Sequence, residues 1–386
     1  MSDTSSVGLY LKAEASYGVV AGGNGKALRY TSHSLKQSQE TKSSDEITSD
    51  RQITDHVRVD IGAEGTTEHE VSAGALDDLL KAGLCSAAWS GSATVTASTI
   101  SAASADNSIN DSGSGFGSFV VGQWIRVTGF TTNGTVFYAK IVTKTTAKLT
   151  ISGVTLITEA AGASITITQA EYVTNGTTSE SFTLQTTFAD LSNVYAYWVG
   201  CLVDSLQLTI AQKDMIRASI GWLGKREYSS ASSQMGTPTA APTYSVLNTI
   251  DDVSIVFEGG FAAANALVIT EGSLSLRNNL RKRGAIANLG PIGIGLGDCE
   301  VSGAFKIYFA TQTLLDKFRN RTASSFGVVL KDSGNRGYVI EVPSIVYSVG
   351  EHVVPGKNGD VVASLEFKAK KDATAGHTIR VHRWAS

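Results

Sequence analysis

Apolar residues along this chain recur mostly at every second position, in short runs broken by glycine and polar turns. That pattern predicts strands with one buried and one exposed face. Val57, Val59 and Ile61 alternate with Arg58 and Asp60, and Phe119 to Phe130 carries a similar pattern. Short strands are expected around Tyr138–Val142, Lys148–Ile151 and Ser164–Thr168, with Asn133-Gly134 as a hairpin turn. One segment has helical spacing instead: from Ser72 to Ala88, Leu76, Leu79, Leu80 and Leu84 form an apolar stripe with Asp77, Asp78 and Lys81 off it. Ser72 is the expected N-cap, and the aspartates suit the first turns. Residues 1–32 read as an extended arm, and Ser38 to Asp50, dense in polar side chains, as a long solvated loop or one ordered only against a partner.

The blocks occur twice. Gly65-Thr66-Thr67-Glu68-His69-Glu70-Val71 precedes the first helix, and Gly303-Ala304-Phe305-Lys306-Ile307-Tyr308-Phe309 precedes a second with Leu314, Leu315, Phe318 and Arg319. Each helix leads to a Ser-Phe strand start, at Ser181-Phe182 and Ser325-Phe326. The next strand runs Cys201 to Leu206 in one copy and Ile340 to Ile345 in the other. Ala218-Ser219-Ile220-Gly221-Trp222 and Ala363-Ser364-Leu365-Glu366-Phe367 close the copies. Five blocks in one order predict a duplicated β-β-helix-β-β unit.

Between Ser90 and Ala105 the composition turns to Ser, Ala and Thr, and the strands that follow have no counterpart in the second half, where Arg321 runs almost directly into Ser325. The expected organisation is an arm at 1–32, a discontinuous first unit at 33–90 and 175–227, an inserted small β barrel or sandwich at 91–174, a linker at 228–246 and a second unit at 247–386.

Composition changes this picture little. The chain has 386 residues, 42% hydrophobic and 17% charged, with 39 glycines against 5 prolines, as expected of an ordered protein rich in tight turns. A net charge of −3 argues against a protein that grips nucleic acid by neutralising phosphates. Cys85, Cys201 and Cys299 lack metal or disulfide spacing and are expected to be buried thiols, in keeping with a reducing cytoplasm. Neither a signal peptide nor a membrane span is expected.

Candidate chemistry is sparse. His33, His56, His69, His352, His377 and His382 show no ligand spacing, and His69, between Glu68 and Glu70, is expected to be exposed or at an interface. Gly293-Ile294-Gly295-Leu296-Gly297 lacks the dinucleotide spacing and precedes a strand. Asp77-Asp78 and Asp251-Asp252 are adjacent and so diverge. No enzyme activity and no cofactor or metal are expected.

Over nearly its whole length the sequence resembles the tail tube (major tail) proteins of long, non-contractile-tailed, siphovirus-like bacteriophages. The resemblance rests on Ser34-Leu35, Asp50-Arg51-Gln52, Gly65 to Val71 leading into Leu76-Asp77-Asp78-Leu79-Leu80, and Ser181-Phe182-Thr183. It continues through Gly303 to Phe309, Asp332-Ser333-Gly334-Asn335, the Pro343 strand and Gly356-Lys357-Asn358-Gly359-Asp360-Val361. It implies a mainly β fold: two tandem tube-type β-sandwiches, each with a flanking helix, plus the inserted β domain, with rings closing a β-barrel channel. It implies a virion protein, made in the host bacterial cytoplasm, that stacks into a tube through which double-stranded DNA passes during ejection without tight binding. Family members typically form hexamers with one tube domain per chain, so two domains imply a trimeric, pseudo-hexameric ring. Its partners would be itself, the tape measure, terminator and distal tail proteins, and no membrane.

Within that frame the acidic candidates for the channel wall are Glu64, Glu68, Glu70, Asp298 and Glu300, with Lys306 as an exception to an acidic wall. Candidate inter-ring loop contacts are Asp45, Glu46, Asp50 and Arg51 in the first unit and Arg281, Lys282 and Arg283 in the second. The inserted domain is expected on the outside, touching a host surface or steadying neighbouring rings. The alternatives are a tube protein of a secretion or contractile injection system, and a β-rich adhesin whose plausible glycan-facing aromatics are Trp124 and Tyr138.

Overall fold

The computed structural model describes residues 2–20 and 22–384. It is mainly β, with two short α-helices, Asp77–Gly83 and Thr313–Arg319, among these residues. Its centre is a continuous antiparallel run of eight strands. Lys36–Ser43 pairs with His56–Glu70, then follow Arg217–Gly224 and the C-terminal part of Tyr195–Ala211. That part pairs onward with Ile269–Arg277, and the run continues through Glu300–Tyr308, Val362–Ala369 and the C-terminal part of Gly337–Val353. The order within residues 36–224 is thus repeated within residues 269–369.

Period-two alternation gives this sheet two unlike faces. Along His56–Glu70, Ala63, Thr67 and His69 are buried, while Glu64, Thr66, Glu68 and Glu70 lie opposite. A second layer covers the buried face. In the first half it is Val7–Ala13, Phe182–Phe188, the start of Tyr195–Ala211, and Arg226–Ser230. In the second it is Val253–Glu258, Ser324–Lys331, the start of Gly337–Val353, and Arg380–Trp384. The two 17-residue strands therefore serve both layers, and each is bulged where it enters the eight-strand run, at Val203/Ser205 and Tyr347/Val349.

Aromatic side chains fill the space between the layers. Trp222 lies opposite Gly65 and Phe367 opposite Gly303. In the second half Phe305 stacks on Phe326 with centroids 5.5 Å apart. Each such buried ring contributes about 2–3 kcal/mol relative to an exposed one. Gly303 is required by contact: a Cβ there would sit 2.4 Å from Phe367 Cζ. Neighbour pairing also corrects the sequence match of the long strands. Val203 corresponds to Tyr347, since these pair with Trp222 and Phe367, and not to Val342. Alternation alone fixes which face a residue takes but not its position along the strand.

Other expectations change for identifiable reasons. Val7–Ala13, inside the expected arm, is a sheet strand with Leu9 and Leu11 buried. Ser38 to Ser43, inside the expected loop, continue the Lys36 strand; it lies at the sheet edge and is largely exposed, so it shows no apolar alternation. The first helix begins at Asp77 and not near Ser72, because the Val71 backbone bonds to Ile216 and Leu247 and the Ser72 hydroxyl accepts from Arg29. The segment expected as a linker is packed down: Met235 is fully buried and Arg29 donates to the carbonyls of Pro242 and Tyr244.

Residues 94–169 form a separate seven-stranded sheet with its own core, including Ile109, Phe116 and Ile125. It leaves the chain from the first half but packs on the second. Trp124 and Tyr138 join Phe257, Val329, Val339 and Trp384 in one apolar cluster, so these two aromatics are buried and not available to a glycan. The Tyr138 hydroxyl donates to the Asn335 carbonyl, and Lys140 Nζ lies 2.5 Å from Glu341. His382 Nε2 is 3.1 Å from the other Glu341 oxygen. Burial alone would push the Glu341 carboxyl up; the His382 hydrogen bond and the Lys140 charge outweigh it and hold it at about 2.

Two outcomes follow from this packing. Gly303→Ala should destabilise the protein by about 2 kcal/mol in chemical denaturation through overpacking, while Gly293→Ala, whose Cβ would meet nothing within 4 Å, should be near neutral. Because the Glu341 pKa is depressed, its contribution is complete above its ordinary value of 4.5 and fades as pH falls toward 2. Lys140→Met should remove about 2 kcal/mol at neutral pH and speed proteolysis within 121–142. Unchanged stability would show that the ion pair does not hold the seven-stranded sheet in place.

Candidate assembly surfaces

The face of the eight-strand sheet opposite the core is built from small and polar side chains. Moving across it from the His56 strand, Glu68 neighbours Ser219, then Gln207, Ser275 and Ser302, and finally Lys368. Four of the sequence-predicted carboxylates, Glu64, Glu68, Glu70 and Glu300, lie on this one face. Asp298 is exposed in the loop just before the Glu300 strand, where its carbonyl accepts from Asn279. Glu271, Glu351 and Glu366 share the face and were not singled out by sequence; the alternation of their strands carried the signal.

Basic groups are interleaved, and several are neutralised locally. Lys306 pairs with Glu271, and Lys36 lies 3.9 Å from Glu64. Ser219 Oγ donates to Glu68 at 2.6 Å. Arg217, Arg277 and Lys368 also lie on the face, but carboxylates outnumber cations across it. The surface is hydrophilic and mildly acidic.

His69 points the other way. It is 1% exposed, with Nδ1 2.7 Å from the Arg29 carbonyl and Nε2 2.8 Å from Thr67 Oγ1; the Thr67 hydroxyl oxygen accepts from Trp222 Nε1. The expectation of an exposed or interface histidine fails because its strand alternates Glu out and His in. Burial lowers its pKa, so the neutral ring serves as a core hydrogen-bonding group.

Both ends of the eight-strand run are open. On one, Lys36–Ser43 pairs on one side only; on the other, so does the end of Gly337–Val353, where Val349, Glu351, His352 and Val353 are exposed. On the Lys36 edge the Gln37 N–H donates to the Glu227 carboxylate at 2.8 Å, so a strand added there takes that donor over from Glu227. The other unpaired backbone groups of the two edges are templates for adding another strand.

The loops occupy different places. Asp45, Glu46, Asp50 and Arg51 lie in the connection between Lys36–Ser43 and His56–Glu70, with Ile47 98% exposed among them. Hydrogen bonds from Thr48 and Gln52 lower the Asp50 pKa. Arg281, Lys282 and Arg283 form a short strand paired with Gly293–Gly295, and Lys282 Nζ reaches Ser38 Oγ at 3.4 Å in the first half of the same chain. The exposed isoleucines Ile47 and Ile286 escaped sequence notice; an isolated apolar residue in a polar loop was the signal.

Among the described residues there is no group of three or more His, Cys, Asp or Glu side chains able to hold a metal, and no helix is long and apolar enough to cross a membrane. No curated protein matches the chain. The family model described as phage tail tube protein matches residues 4–369, nearly the full length. With its mainly β architecture, the chain belongs to the phage tail tube protein family, a structural component of the virion tail.

Proposed function

We propose that each chain supplies two tandem tube units, residues 7–90 with 175–230 and residues 247–384, and that three chains close a pseudo-hexameric ring. Rings stack into the tube of a non-contractile tail, and double-stranded DNA passes through it at ejection. The observation that carries this reading is the junction of the two halves: they share one strand order and meet edge to edge in a single sheet, while the outer edge of each half is left open. Three copies joined by those edges leave no open edge within the ring.

The small, polar, mildly acidic face is assigned to the channel. A wall of lysines and arginines would accumulate phosphate contacts and hold the duplex; carboxylates repel it and keep it sliding. Glu64, Glu68, Glu70 and Glu300 are the wall residues of this reading, with Asp298 near the rim. The second layer then faces outward, and the 94–169 sheet, which packs on that layer, becomes an external module that touches a host surface or braces neighbouring rings. The exposed 44–55 segment, with Asp45, Glu46, Asp50 and Arg51, is assigned to contacts between rings, as are Arg281 and Arg283, with Lys282 directed to its own chain. The tape measure, terminator and distal tail proteins would meet the column inside or at its ends. A position outside the tube favours a tail without a sheath over a contractile injection device.

Negative-stain imaging of the purified protein should show rings or hollow tubes with a regular axial repeat; monomers in every buffer would reject the proposal. Native mass measurement of isolated rings should give three chains, and six would reject the pseudo-hexamer while leaving a tube. Glu68→Lys with Glu70→Lys should permit assembly yet slow genome release, and an unchanged release rate would remove those positions from the channel wall.

A further inference from the structure

The junction inside the chain is a template from which the register of a junction between chains can be read. In the internal seam Ser205 pairs with Arg277, Gln207 with Ser275, Thr209 with Ser273 and Ala211 with Glu271. The backbone of Gln212 donates to Thr270 and that of Asn278 to Asp204, so the hydrogen-bonded positions fall at even-numbered residues of the Tyr195 strand. Gln207–Ser275 is therefore a non-hydrogen-bonded pair, in which side chains approach most closely.

Both open edges can be mapped onto this seam through their common neighbours. Val203 and Tyr347 pair with the equivalent Trp222 and Phe367, and the bulge that follows each is in the same place, so Ser205 corresponds to Val349 and Gln207 to Glu351. Glu64 and Ser302 occupy equivalent positions, one residue before Gly65 and Gly303, and pair with Lys36 and Ser275. Lys36 thus corresponds to Ser275, Ser38 to Arg277 and Ser34 to Ser273.

We infer that the Val349–Val353 edge of one chain pairs antiparallel with the Ser34–Ser38 edge of a second copy, with Val349 opposite Ser38, Glu351 opposite Lys36 and Val353 opposite Ser34. This rests on the ring reading above and specifies its contact. The copied register brings opposite charges together at the non-hydrogen-bonded position that Gln207 and Ser275, both neutral, hold in the internal seam. Lys36 would then lie between Glu64 of its own chain and Glu351 of the next. The seam also buries His352 against Leu35, where the internal seam has Leu208 against Leu274. The contact between chains is consequently more polar than the one within a chain, as suits a surface that must stay soluble until it assembles.

Paired cysteines test the register. In assembled material under mild oxidation, Val349→Cys with Ser38→Cys, and Val353→Cys with Ser34→Cys, should give disulfide-linked dimers and trimers on non-reducing gels. The slipped pair Val349→Cys with Lys36→Cys should crosslink about tenfold less, since its Cα separation falls outside disulfide reach. The unsubstituted chain, with Cys85, Cys201 and Cys299, sets the background. Rings that crosslink only through the slipped pair, or not at all, would overturn the register and leave the tube reading standing. Absence of both rings and crosslinks would overturn the two together. A charge exchange adds a second readout. Lys36→Glu and Glu351→Lys alone should each raise the concentration needed for assembly about threefold, and the double exchange should restore it. A double variant no better than the worse single one would remove the Glu351–Lys36 contact.

Discussion

The hydrogen-bonded seam between Ser205–Ala211 and Glu271–Arg277 is the constraint on which the molecule depends. It makes the two halves share one sheet and one continuous core, and so keeps their buried faces on the same side and their polar faces on the other. A slip of one residue at this seam would pair Leu208 with Ser273 or Ser275 in place of Leu274, and so set the apolar face of one half beside the polar face of the other. Small residues on the polar face allow the strands to continue without interruption. Large apolar residues on the opposite face make the second layer obligatory.

Much of this was legible in the sequence where a single pattern dominated. The leucine stripe of the first helix, the alternation of Glu64, Glu68 and Glu70, and the recurring glycine-led and Ser-Phe strands lie where the residue spacing placed them. The structure departs from expectation where tertiary neighbours decide. The Lys36 strand is polar on both faces because it lies at an edge, so nothing in its own composition announces a strand. Ser72 has the chemistry of a helix cap, but the Val71 backbone before it is already engaged by Ile216 and Leu247. The match between the two long strands failed because alternation repeats every two residues and permits several alignments. Trp124 and Tyr138 resembled exposed aromatics only while the surface that covers them, Phe257, Val339 and Trp384, was far away in sequence.

The seven-stranded sheet illustrates the same point at a larger scale. Sequence marks its start and end by composition, but not which half it rests upon. The second half offers Val329 and Val339 on its outer layer, apolar positions that need a cover. At the corresponding layer of the first half, Thr183, Gln185 and Thr187 are polar; Gln185 is bound by Ser233 and Gln234 of the connecting segment. Hydrophobic matching therefore draws the insertion across to the half it does not belong to by chain order.

That crossing has a mechanical result. The return strand Glu171–Thr174 pairs with Arg380–Trp384, and Asp77 at the start of the first helix is bound by Tyr338 and Arg383. Together with the seam they make each polypeptide a braced beam whose halves cannot hinge independently. In the tube proposed above, bending strain would have to be relieved by shear between neighbouring polypeptides, so the compliance of such a filament would be set by its intermolecular joints.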